Sequence, residues 1–374
     1  MRLYYVVNAR LPNKKAYGIQ IAKMCEAFIE AGVDLILVIP QTRAARQSSM
    51  RAFYGLRVDI PTVTLPTFDW YDKGRIGYAI SSLIFATLLL LFFLFRRARG
   101  LRGVYYSIPD TFSFAVAALA GFPCVVEIHE PKPVKGLSWL ISRAKRVIAT
   151  NGEIERFLVE KLHIPRERLL LEPNGVDMHA YVNMFSKEEA HKRLGIPAHE
   201  KIALYLGRLY EWKGLDILAG AAEAAPDIQW YVVGGSIEEF RTATKKNETP
   251  SNLHIAGECA PSQVPIWLAL ADVLLVLGTK RNETSFRFTS PMKTYEYMAA
   301  RRPVIASATP ALQSSILENC ASWYQPDDAR GLADVVRRTV AQDNSVMVSR
   351  AAEVARGHSW SVRAQRIQAF IRGL

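Results

Sequence analysis

SPMKTYEYMAARRPVIAS, residues 290–307, reads as a helix that runs straight into a buried strand. Ser290-Pro291 fits an N-cap with proline at the first helical position. Tyr295, Met298 and Ala299 then fall at helical spacing, Arg301 and Arg302 suit the last turn, and residues 303–306 make a short apolar strand. Glu296 lies beside the apolar face. A carboxylate there needs a partner, because burial without one is costly.

The same alternation extends in both directions. Apolar runs at 3–7, 34–39, 104–106, 124–128 and 146–149 read as strands, with helical patterns between them at 17–31 and 112–120. Gly32 closes the first helix. After EPNGVD (172–177) the rhythm restarts, with strands at 202–206, 229–233, 253–256, 272–277 and 303–306 and helices near 186–194, 214–224, 262–271 and 291–300. This α/β alternation implies two doubly wound, Rossmann-like domains, expected at 1–175 and 176–354 with a linker near 174–186. The stretch 345–372 is helical in pattern, and a C-terminal helix over about 355–374 is expected to pack back on the first domain. Ligands of such sheets bind at the carboxyl ends of strands, here expected in a cleft between the domains.

The chain has 374 residues and a formal net charge of +12, which favours an anionic partner such as a nucleotide or an anionic lipid surface. No zinc-finger spacing or RNA-binding signature is present, so nucleic acid is not expected. The local basic cluster is Arg96, Arg97, Arg99 and Arg102. Cys25, Cys124, Cys259 and Cys320 are scattered among apolar residues and read as reduced core cysteines of a cytosolic protein. MRLYYVVNA lacks a signal-peptide layout and reads as a first strand. YAISSLIFATLLLLFFLF (78–95) is uncharged and reaches roughly 27 Å as a helix, enough for a membrane span. A true span would split one parallel sheet across the bilayer. A helix packed in an α/β domain is therefore expected, with an outer face dipping into the membrane interface as the alternative.

The second domain opens with KIALYLGRLYEWKGLDIL (201–218). A buried strand ends at Gly207-Arg208, and Lys213-Gly214 introduces a helix. Glycine permits close approach, and two cations before a helix N-terminus suit a diphosphate; a basic solvated loop is the bland alternative. GRLYEWKG, PNGVD (173–177) and SPMKTYEYMAARRPVIAS, taken in order, resemble the family 4 retaining glycosyltransferases of GT-B architecture. NARLPNKKAYGIQIAKMCEAF (8–28) resembles the acceptor-side start of such enzymes.

This resemblance implies that Gly207, Arg208 and Lys213 meet the donor diphosphate, and that Glu296 accepts hydrogen bonds from the nucleotide ribose. A salt bridge to Lys293 or Arg301 is the structural alternative for Glu296. It also implies that Gly18, in the loop after the first strand, approaches the donor. His129, in VVEIHE (125–130), would face the transferred sugar. Backbone groups from Thr289 through Ser290, Pro291 and Met292 to Lys293 are expected to hold sugar and phosphates. Many members carry another glutamate where this chain has Phe288; either the site does without it, or a nearby acid such as Glu283 substitutes.

The implied reaction moves a sugar from a UDP- or GDP-sugar to a hydroxyl acceptor, with retention. No essential metal or other cofactor is expected: no Asp-x-Asp motif is present, and Asp327-Asp328 reads as a solvated helix start. A lipid-linked glycan or an envelope polysaccharide precursor is the expected acceptor. The expected location is the cytoplasm, peripheral to the inner face of the cytoplasmic membrane. A nucleotide-sugar epimerase, a phosphorylase and a binding protein without turnover are the rivals. A two-carboxylate glycosidase is disfavoured, since Glu127 lies inside an apolar strand near Glu130.

Overall fold

The computed structural model describes residues 2–108, 116, 119–131 and 137–374. Most of the helix expected over 112–120 lies outside the described residues. The chain divides into two compact units, one of residues 1–174 with 360–374 and the other of residues 175–359.

The first unit is built on seven parallel strands. They are β1 (Arg2–Val6), β2 (Asp34–Gln41), β3 (Thr62–Pro66), β4 (Val104–Ser107), β5 (Cys124–Ile128), β6 (Arg146–Ala149) and β7 (Leu169–Leu171), in the spatial order β3-β2-β1-β4-β5-β6-β7. The central strands are apolar on both faces, and Tyr4, Tyr5, Tyr105 and Tyr106 are fully buried there. β3 and β7 are edge strands with half-exposed residues. They lack the continuous apolar run that marks a buried parallel strand, so neither stood out in the sequence.

The helix Gly74–Ala98 lies in this unit and buries one face through Gly77, Ser81, Ser82, Phe85, Ala86, Leu89 and Phe93. Phe93 packs edge-on against Tyr4. Its outer face leaves Leu83, Leu91, Leu94 and Phe95 exposed. By length and composition it could cross a membrane, although one face is committed to the unit. The helical pattern expected over 345–372 is two helices, Ser345–Gly357 and Trp360–Ile371. The chain breaks between them because His358 and Ser359 pair with Val176, whose N–H donates to the His358 carbonyl at 3.0 Å. Trp360–Ile371 belongs to the first unit and packs on the helix Ala16–Glu30.

The second unit has six parallel strands: β8 (Ile202–Leu206), β9 (Gln229–Val233), β10 (Leu253–Ile255), β11 (Val273–Val276), β12 (Val304–Ser307) and β13 (Ser322–Tyr324), in the order β10-β9-β8-β11-β12-β13. Alternate residues of β8 feed separate apolar layers, Ile202, Leu204 and Leu206 on one face and Ala203 and Tyr205 on the other. The strand order reverses between β8 and β11. That is the topological switch point, where a doubly wound sheet opens a crevice.

Candidate functional site

The chain leaves β8, beside the switch point, at Gly207. A Cβ there would overlap the Lys293 ammonium, so only glycine fits with Lys293 in place. Lys293 Nζ donates to the Leu206 carbonyl and lies 5.4 Å above the Tyr205 ring. Tyr297 OH accepts from the Leu206 N–H at 3.0 Å and donates to its carbonyl at 3.1 Å. The helix Lys293–Ala299 is thereby locked to the end of β8. It starts at Lys293, two residues later than Ser290-Pro291 suggested.

Lys213 ends a short 3-10 turn, and Gly214 then adopts φ +79°, a left-handed conformation suited to glycine, before the helix Leu215–Ala224. Lys213 Nζ sits 4.0 Å over the Trp212 ring, which is stacked on Tyr210. Burial and the neighbouring Lys293 push Lys213 down to about 7. Burial also lowers Lys293, to about 8, against the pull of Glu296 and Cys259. Two crowded, desolvated ammonium groups form a site short of negative charge. Arg208 stands at the same strand end and is paired with Glu258 at 2.6 Å.

Glu296 supplies the other pole. Burial raises its pKa, with Lys293 opposing. Its carboxylate forms no hydrogen bond or ion pair among the described residues, since Lys293 turns to Leu206 instead. The salt bridge weighed from the sequence is therefore not formed. Tyr181, which the sequence did not flag, lies near enough that burial and Glu296 together raise its phenol well above the ordinary value.

The loop after β11 runs beside Gly214, where a Cβ would lie 3.7 Å from the Gly278 carbonyl and from Thr279. Asp327 was expected to be solvated. Instead it holds φ +64° and accepts from Thr279 Oγ1 at 2.5 Å, Lys280 N at 3.0 Å and Arg281 Nε at 3.1 Å. Arg281 also reaches Asp216 at 2.8 Å. Only Asp328 plays the expected part, capping the helix Ala329–Ala341. A π-helical turn follows at Thr284–Phe288, a rare geometry that recurs at functional sites. It buries Phe288, and Glu283 is exposed at its start. Thr289 is buried and its N–H is taken by the Thr284 carbonyl at 2.8 Å, so it is not free for a ligand as expected. Ser290, Pro291 and Met292 are partly buried and lead into Lys293.

Gly18 and His129 belong to the first unit. Gly18 is not in a loop: it is the third residue of the helix Ala16–Glu30, where a Cβ would strike Asn13 Oδ1 and Tyr54 OH. Its smallness is used for packing. His129 follows β5 directly and its Nε2 lies 2.7 Å from Glu127 Oε1. A cavity of about 130 Å³ opens beside it, lined also by Glu130, Ser138, Ile141 and Phe157. Arg96 stacks over Tyr4 and Phe92, and Arg97 donates to the Ala120 carbonyl. Arg99 also lies 4.1 Å over the Phe95 ring, so three of the four arginines of the basic cluster are engaged with the unit's own surface.

Residues 200–342 match the family model described as glycosyl transferases group 1. That stretch lies within the second unit and spans less than half of the chain. The chain is 28% identical over 167 residues to a putative teichuronic acid biosynthesis glycosyltransferase, TuaC, of Bacillus subtilis, covering 44% of this chain and 40% of that one. It is 23% identical over 289 residues to a D-inositol 3-phosphate glycosyltransferase of Kineococcus radiotolerans, covering 70% and 65%. The chain thus matches less than two thirds of the length of either relative. Its fold is that of a glycosyltransferase from Rickettsia africae (TM-score 0.76, 13% identity, 100% and 99% coverage). It is equally that of HepE from Anabaena, solved with UDP and glucose (TM-score 0.74, 16% identity, both chains fully covered). The GT-B architecture follows from these two likenesses.

Proposed function

We propose that this chain transfers a sugar, with retention, from a UDP- or GDP-sugar to a hydroxyl acceptor, a lipid-linked glycan or envelope polysaccharide precursor. One observation carries the reading: two desolvated lysines and an unpaired carboxylate share the carboxyl end of β8. A diphosphate answers the lysines, and a ribose diol answers the carboxylate, which when ionised only accepts hydrogen bonds. The UDP complexes of HepE and the relative named for teichuronic acid biosynthesis support the same choice.

In this reading Lys213, Lys293 and Arg208 take the diphosphate, and Arg208 shifts part of its charge away from Glu258. As the bond to the sugar breaks, negative charge grows on the diphosphate, where the fixed cations stabilise it most. The leaving diphosphate accepts the acceptor's proton, on the same face that the sugar leaves. No protein nucleophile, metal or other cofactor enters. His129 faces the transferred sugar. Phe288 leaves the sugar without a second carboxylate, so backbone groups near Met292 and Lys293 hold it.

The acceptor side extends the proposal to a membrane surface. Leu83, Leu91, Leu94 and Phe95 leave an apolar outer face on the helix Gly74–Ala98, next to exposed Arg99 and Arg102. This suits shallow insertion at the inner face of the cytoplasmic membrane. The test of function is incubation with a labelled UDP- or GDP-sugar and extracted envelope lipids. Label transferred to lipid by the wild type and not by Lys213→Ala supports the reading. Nucleotide-sugar bound but never turned over would leave a binding protein.

A further inference from the structure

A buried polar network in the first unit is unused by the reading above. Glu127 lies fully buried inside apolar β5. Its Oε1 accepts from Gln20 Nε2 at 3.0 Å, from Arg363 Nη2 at 2.9 Å and from His129 Nε2 at 2.7 Å. Tyr106 OH donates to Oε2. Burial works against ionisation, but Arg363, His129 and Tyr106 outweigh it and hold the Glu127 carboxyl far below its ordinary value.

Arg363 arrives from the helix Trp360–Ile371 and is itself fully buried, with Nε donating to the Pro173 carbonyl at 2.7 Å. A buried ion pair is a poor device for stability alone, because desolvation offsets most of the attraction. Here the pair has a geometric consequence. An ionised carboxylate cannot donate, so a neutral His129 ring must carry its proton on Nε2. Nδ1 contacts no described hydrogen-bond donor or acceptor, and the side chain is 28% exposed.

We infer that Glu127 and Arg363 are positioning residues that fix His129 as the Nε2–H tautomer and present the bare Nδ1 outward as a hydrogen-bond acceptor. The C-terminal helix is thereby a working part of the His129 site, joined to it through one guanidinium. That Nδ1 receives a hydroxyl of the transferred sugar rests on the proposed function. The tautomer and its cause do not.

The test is a nitrogen–proton correlation spectrum of the full chain labelled with 15N-histidine, assigned with His129→Gln and recorded at a pH where the ring's own titration shows it neutral. The wild type is expected to show a protonated Nε2 and an unprotonated Nδ1. Glu127→Met removes the acceptor altogether, so the single tautomer should give way to a mixture. If that variant fails to fold, Glu127→Met with Arg363→Met removes both charges and serves instead. An Nδ1–H ring in the wild type, or a spectrum unchanged in the variant, overturns the inference. Nucleotide titration of the same samples keeps the two proposals apart: failure of the wild type to bind nucleotide would sink the donor reading and leave the tautomer result standing. With turnover, kcat should fall tenfold or more and KM for the nucleotide-sugar should hold; a change confined to KM would refute the positioning role.

Discussion

Nucleotide binding at the end of β8 should draw protons from solution. Lys213 sits at about 7 and Lys293 at about 8, both lowered by burial. At pH 8, roughly one tenth of Lys213 and about half of Lys293 carry charge. A bound diphosphate should return both to the ordinary lysine range. The uptake is then about 1.4 protons per nucleotide at pH 8, and the lysines' share falls to about 0.1 near pH 6. Calorimetry in buffers of different ionisation enthalpy measures this directly. Lys213→Ala should bind more weakly and take up only about half a proton, the share of Lys293. The same shifts fix the sign for stability. Their folded pKa values lie below the unfolded one, so the unfolded chain binds more protons between about 7 and 10.5. The ligand-free protein should therefore gain stability as pH rises through that window and lose it as pH falls back toward 7. A binding enthalpy independent of buffer at pH 8 would refute the claim that desolvated lysines meet the nucleotide.

Gly207→Ala should displace the Lys293 ammonium from the Leu206 carbonyl and weaken nucleotide binding by about 1.5–3 kcal/mol, the usual range for a hydrogen bond to a charged group, as read by titration. Asp327→Asn keeps a residue that tolerates positive φ but removes the charge that gathers Thr279, Lys280 and Arg281. It should cost about 1–2 kcal/mol in urea unfolding and speed amide exchange at 279–281. Arg99→Ala with Arg102→Ala should reduce sedimentation with anionic liposomes by roughly 2 kcal/mol in binding free energy, and equal sedimentation would argue against a membrane-facing helix end.

The two parallel sheets were legible because their central strands are nearly continuous apolar runs, as at Ile202–Leu206 and Cys124–Ile128. The edge strands β3, β7 and β13 were not, since half-exposed short segments carry no such run. Within the site, Arg208 and Lys213 stood out as two cations before a helix N-terminus, the roles of Gly207 and Glu296 came from the family resemblance, and the Lys293 side chain was weighed only as a salt-bridge partner for Glu296. Asp327 was misread because its partners, Thr279 to Arg281, lie nearly fifty residues upstream in sequence. Tyr181, Glu258 and Cys259 were missed for the same reason: what gathers them is the sheet order. Gly18 was taken for a loop glycine, and only Asn13 and Tyr54 folding over it show a packing role. Nothing in the sequence joins Arg363 to Glu127.

The measurement that bears most directly on the central claim is a calorimetric titration of the protein with UDP, GDP, ADP and their common sugar conjugates, repeated on Glu296→Ala. One nucleotide and its sugar conjugate should bind tightly, with affinity sharply reduced in the variant because the ribose loses its acceptor. No binding of any nucleotide, or equal binding by Glu296→Ala, would contradict the assignment of this site to a nucleotide-sugar donor.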